Sequence, residues 1–112
     1  MKKMECDGTL IRGVCKAILE AKASASPRLT DMQIQDIEWL QDLHAGTVGD
    51  RKRFVSVIAL LRKLRDNAGI RAHWDSSAFT TVNFPSGAEE LFEDWIASCA
   101  QDDTQILIKT ET

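Results

Sequence analysis

Apolar residues recur along this chain with two different periods, and the changes between them divide it into elements. Between residues 9 and 23, Leu10, Ile11, Val14, Cys15, Ile18, Leu19 and Ala21 share one side of a helical wheel, with Arg12, Lys16 and Glu20 on the other. That spacing predicts an amphipathic helix. Ser24, Ser26 and Pro27 end it, because small polar residues favour turns and proline lacks the N–H that a helix interior needs. Thr30, followed three residues later by Gln33, matches a capping box and opens a second helix that Gly46 closes. On this helix Met32, Ile34, Ile37, Trp39, Leu40 and Leu43 cover more than half the circumference, which implies contact on two sides. Either it is the central helix of the domain, or its Met32, Trp39 and Leu43 edge is a partner site.

Asp50 caps a third helix that runs to about residue 68, with Gly69 past its end and Phe54, Val57, Ile58, Leu61, Leu64 and Ala68 as its buried stripe. Residues 70–74 and 79–84 are short stretches rich in aromatic, apolar and threonine side chains, separated by Asp75, Ser76, Ser77 and Ala78. They predict a β-hairpin, whose second strand Pro85 stops. Ser86 with Glu89 repeats the capping-box pattern and opens a fourth helix to about residue 100, with Leu91, Phe92, Trp95, Ile96 and Cys99 inward. Ile106 and Ile108 alternate within a final strand over 104–109, and residues 1–7 and 110–112 are expected to be frayed ends. The expected fold is therefore α+β and helix-rich. Three N-terminal helices lie on a small antiparallel sheet made by the hairpin and the C-terminal strand, with the fourth helix packed against one side.

Composition narrows the picture. The chain has 112 residues, 44% hydrophobic and 28% charged, with 6 Gly and 2 Pro. Two cores would each hold roughly 55 residues, a marginal size, so one domain over residues 1–112 is expected. No apolar run approaches the roughly 20 residues that span a bilayer, and Lys2 and Lys3 precede no stretch of the kind a secretory signal needs. Cys6, Cys15 and Cys99 are odd in number and without paired spacing, as expected of reduced thiols in a cytoplasmic protein, with Cys6 the accessible one.

Signatures of chemistry are scarce. There is no nucleophile elbow, glycine-rich phosphate loop, His-Glu-x-x-His or Cys-x-x-Cys pattern, so a non-enzyme without metal or cofactor is expected. His44 falls near the end of the second helix, where an imidazole suits the exposed carbonyls. His73, Trp74 and Asp75 fall at the expected hairpin end. There they form either a binding tip or an alternation with Trp74 in the core and His73 outside.

Charge segregation is the strongest remaining signal. The formal net charge is -3, yet residues 51–73 hold seven bases against the single acid Asp66, and residues 86–103 hold six acids and no base. Arg51, Lys52, Arg62 and Lys63 fall opposite the apolar stripe of the third helix, as a cationic face that wants an anionic partner. Glu89, Glu90, Glu93 and Asp94 crowd within two turns without a lysine for i to i+4 pairing. Three readings compete: mutual neutralisation within the domain, nucleic-acid binding by the basic face, or docking of another protein. Three helices followed by a hairpin over residues 9–84 resemble the element order of a winged helix-turn-helix, which implies a DNA-binding regulator whose third helix enters the major groove.

The leading expectation is a non-catalytic protein-binding module: a small inhibitor, immunity-type or adaptor protein. It would act through its charged helix faces on a larger macromolecular partner, a nucleic-acid-handling one among the options, and a homodimer is compatible with the sequence. On this expectation, reversing Glu93 and Asp94 leaves the fold at least as stable while weakening partner binding.

Overall fold

The computed structural model describes residues 2–76, 84–100 and 104–110. Strand β1 (Lys2–Asp7) leads directly into helix α1 (Gly8–Ala21), which a short 3-10 turn (Lys22–Ser24) terminates. Helix α2 (Asp31–Gln41), the two-residue strand β2 (Gly46–Thr47), and helices α3 (Arg51–Leu64), α4 (Ala68–Ser76) and α5 (Ala88–Cys99) follow, and strand β3 (Thr104–Lys109) ends the series. The architecture is helix-rich α+β, as expected.

The sheet differs from the antiparallel arrangement that the sequence suggests. Its order is β1-β3-β2, with β1 parallel to β3 and β2 antiparallel to β3. Met4 stands beside Ile106 and Cys6 beside Ile108. These four side chains are buried together with Thr104, while Lys3, Glu5, Asp7 and Lys109 are exposed. The pleat thus sends one apolar set under the helices and one charged set into water. On the open face the Lys109 ammonium meets the Glu5 carboxylate at 2.8 Å. Residues 2–7, expected to fray, are instead an ordered strand, and Cys6, expected to be accessible, is 1% exposed. The physical reason is that Met4 and Cys6 match the period of Ile106 and Ile108, and the partner strand lies about a hundred residues away, beyond any local pattern.

Local capping explains where most helices begin. Asp7 accepts from the Leu10 N–H at 3.1 Å and turns β1 into α1. Thr30 and Gln33 close the expected box, at 3.1 and 2.9 Å, and Asp50 accepts from the Arg53 N–H at 3.0 Å. Helix α2 lies between α1 and α3 and buries Ile37 and Leu40 completely. Trp39 is half-buried under the Arg53 guanidinium, 4.4 Å from its ring centre, and Arg53 also pairs with Asp36 at 3.0 Å. Met32, in the first turn, remains exposed.

Beyond α3 the expected strand is absent. The third helix stops at Leu64, and Asn67 restarts the chain as a helix by accepting from the N–H groups of Ser26, Gly69 and Ile70 at 2.8, 3.1 and 3.2 Å. Residues 70–74 therefore lie in α4. Ile70 and Trp74, one turn apart, face α1; Ile70 is fully buried and the Trp74 indole N–H donates to the Ala17 carbonyl at 3.3 Å. The other expected strand, 79–84, lies outside the described residues except for Phe84, which is in no strand. The likeness to a winged helix-turn-helix accordingly stops at the third helix. Helix α5 opens at Gly87, in the left-handed region at φ 86°, without a side-chain cap, so the Ser86 and Glu89 box does not form. Leu91, expected inward, is exposed.

Two predictions follow from this packing. A Cβ on Gly69 would stand 1.7 Å from the backbone carbonyl oxygen of Ser24, whereas one on Gly13 in α1 would meet nothing within 4 Å. Gly69→Ala should therefore cost at least about 2 kcal/mol in urea denaturation, and Gly13→Ala should be stabilising by roughly 0.5–1 kcal/mol. Burial pushes the Cys6 and Cys15 thiols from the ordinary 9.0 up to about 12, with the neighbouring Cys99 adding to the effect on Cys6. Above pH 9 the unfolded chain releases these protons while the folded chain keeps them. Their contribution to stability is thus complete below that pH and is lost as pH rises toward 12, by up to about 1.4 kcal/mol per pH unit and thiol. Denaturation midpoints taken across this range should fall accordingly.

Candidate functional site

The charged helices were the candidates, and the fold brings α3 and α5 together. They pack side by side through Phe54, Leu61 and Phe92 in the common core, and residues 86–103 contribute no base to offset their acids. The Arg65 guanidinium donates to the Glu89 carboxylate at 2.6 Å, and Arg62 stands 4.0 Å from the other Glu89 oxygen while also pairing with Glu93. Phe84 roofs this cluster, edge-on to Phe92 at 5.7 Å and 5.6 Å beneath the Arg65 guanidinium. Half of the acidic cluster and one of the four basic candidates are thus engaged with each other.

The other basic candidates do not join one surface. Arg51 is half-buried near Cys99, whose thiol is raised by burial and lowered in part by the Arg51 charge. Lys52 is exposed near the start of α3, and Lys63 is exposed near its end. Lys63 borders a groove of about 570 Å³ whose apolar part comes from Pro27, Leu29, Leu60 and Leu64.

The acids separate according to helical geometry. At 100° per residue, Phe92, Trp95 and Cys99 point into the core and Glu89 and Glu93 toward α3. The remaining arc, about 120° wide, carries Glu90, Leu91, Asp94, Ala97 and Ser98, all exposed. Leu91 is 42% exposed at the edge of this arc, beside the Glu90 and Asp94 carboxylates, for which no ion pair is formed among the described residues. Sequence periodicity missed this, because Leu91 adjoins the apolar arc and only the position of α3 decides which flank of the helix is covered.

The histidine candidates have structural surroundings. His73 and Trp74 are half-buried on α4, Asp75 is exposed there, and Trp74 is tied to α1, so the three residues form no hairpin tip. His44 is exposed. The carbonyl at the end of α2 is taken by Arg12, which donates to Leu43 O at 2.8 Å and lies 3.4 Å from His44 Nδ1. No group of three or more potential metal ligands occurs among the described residues, and none of their helices is long and apolar enough to cross a membrane. All three thiols are buried with raised pKa, the opposite of an activated nucleophile.

Comparison with family models, curated proteins and solved structures finds no match to this chain.

The division of the acids is open to measurement. Glu89 and Glu90 share the first turn of α5, so reversing either loses the same favourable interaction with the helix dipole. Glu89→Lys also places a cation against Arg62 and Arg65, and should cost about 1 kcal/mol more than Glu90→Lys in urea denaturation. For the same reason Glu93→Lys is expected to destabilise, contrary to the sequence-based expectation, whereas Asp94→Lys is not.

Proposed function

We propose that this chain is a non-catalytic protein-binding module, of inhibitor, immunity-type or adaptor kind, that engages a larger macromolecule through the outer face of α5. The observation that carries the reading is the exposed Leu91 beside Glu90 and Asp94, on a flank of α5 that, among the described residues, neither the core nor α3 covers. An exposed apolar side chain supplies desolvated area to a contact, and the carboxylates beside it set the approach and orientation of a cationic partner. A surface built to hold phosphates is cationic in this way, which makes a nucleic-acid-handling protein the favoured class of partner. The buried, unpaired thiols suit the reducing cytoplasm, and the reading needs neither metal nor cofactor.

The test begins with isolation of the partner by copurification from the native host, followed by kinetics with the purified pair. Leu91→Lys should weaken binding at least about tenfold, mainly through faster dissociation. Glu90→Lys with Asp94→Lys should slow association and flatten its dependence on salt. Unchanged rates in both variants would remove α5 from the interface. Salt-sensitive binding of duplex DNA by the isolated chain would instead favour the basic residues of α3.

A further inference from the structure

Among the described residues, one long edge of the sheet carries no partner. Strand β3 is paired on both sides and β2 has only two residues, but β1 spans six residues and pairs on one side alone. Among the described residues, no other backbone hydrogen bond reaches β1. Such an edge presents N–H and C=O groups at the spacing another strand requires.

We propose that β1 pairs with the β1 of a second copy of this chain, antiparallel and about a two-fold axis through Met4, to give a continuous six-stranded sheet. The choice of register follows from pleat and charge. A two-fold perpendicular to the sheet keeps the helix-covered faces of both copies on one side. Lys2, Met4 and Cys6, which share one side of the pleat, must then face one another, and Lys3, Glu5 and Asp7 must face one another on the other side. Centring the axis on Lys3, on Glu5 or on Cys6 sets Lys3 against Lys3, Glu5 against Glu5, or Glu5 against Asp7. Centring it on Met4 places Lys3 opposite Glu5 and Lys2 opposite Cys6 of the second copy, each twice by symmetry, with no like charges opposed. Glu5 already holds Lys109 at 2.8 Å on its own sheet, so the pairing continues an alternation of charge across the open face.

The covered face has room for the same arrangement. Lys2, Lys3, Met4, Ala97, Ser98 and Thr104 line a cleft of about 350 Å³ between the start of β1 and the end of α5. Met4 borders this cleft, and directly paired residues of antiparallel strands have Cβ atoms about 4.5–5.5 Å apart, so the facing Met4 enters beside it. The contact is short and half polar, which makes the dimer weak and sensitive to salt.

The test is sedimentation equilibrium of the full chain without an N-terminal tag, at low salt, from about 10 µM to about 1 mM. Wild type should associate to a dimer. Lys3→Glu and Glu5→Lys, each confirmed as folded by circular dichroism, should each raise the dissociation constant at least tenfold. An equimolar mixture of the two should recover association, because every heterodimer again sets unlike charges opposite one another. Leu91→Lys should leave the dimer unchanged, which separates this surface from the outer face of α5. A wild-type chain that stays monomeric throughout, a mixture that associates no better than its components, or a dimer abolished by Leu91→Lys would each overturn the proposal.

Discussion

Parallel strands cannot be joined by a tight turn, and in this molecule that constraint governs everything between the first strand and the last. Met4 and Cys6 of β1 lie alongside Ile106 and Ile108 of β3, so the chain that leaves the end of β1 must travel back to the opposite end of the sheet before β3 can begin. The five helices of the described residues belong to that connection, and the buried side chains of the two strands face them. The opposite face carries Lys3, Glu5, Asp7 and Lys109 into water. A three-stranded sheet covered on one side has little apolar surface of its own, so its burial depends on Ile11, Val14 and Ile18 from α1 and on Phe92 and Trp95 from α5.

The same crossover brings the basic and acidic segments into contact. Once α5 packs beside α3, the Arg62 and Arg65 guanidiniums lie within reach of Glu89 and Glu93. These pairs are partly exposed, and each adds at most about 1 kcal/mol. Their larger consequence is selective: they occupy one flank of α5 and leave Glu90, Leu91 and Asp94 as its outward chemistry. A net acidic chain with seven bases in one 23-residue segment therefore presents much less cationic surface than its sequence implies.

Elements whose stabilising contacts lie close in sequence could be recognised from residue patterns alone. Thr30 with Gln33, Asp50 with Arg53, the apolar stripe of α1 and the alternation of β3 all appear as the pattern indicates. Residues 2–7 could not, because two apolar side chains among charged ones are uninformative until the distant β3 supplies the matching pleat. Residues 70–74 failed for another reason. Ile and Trp favour strands, and a segment so short fits either period, but the Asn67 side-chain oxygen accepts from the Gly69 and Ile70 N–H groups and starts a helix, and Ile70 with Trp74 then falls on one face of it. For the candidate site, the two clusters of opposite charge were apparent, but their mutual pairing and the exposure of Leu91 depend on which flank of α5 meets α3.

The parallel pairing of β1 with β3 is the claim on which the remaining architecture rests, and nuclear Overhauser contacts between backbone protons test it most directly. The structure predicts cross-strand contacts in the register that sets Met4 beside Ile106 and Cys6 beside Ile108, with helical contacts through residues 70–74. Strand contacts between residues 70–74 and the C-terminal strand, with residues 2–7 showing none, would contradict it.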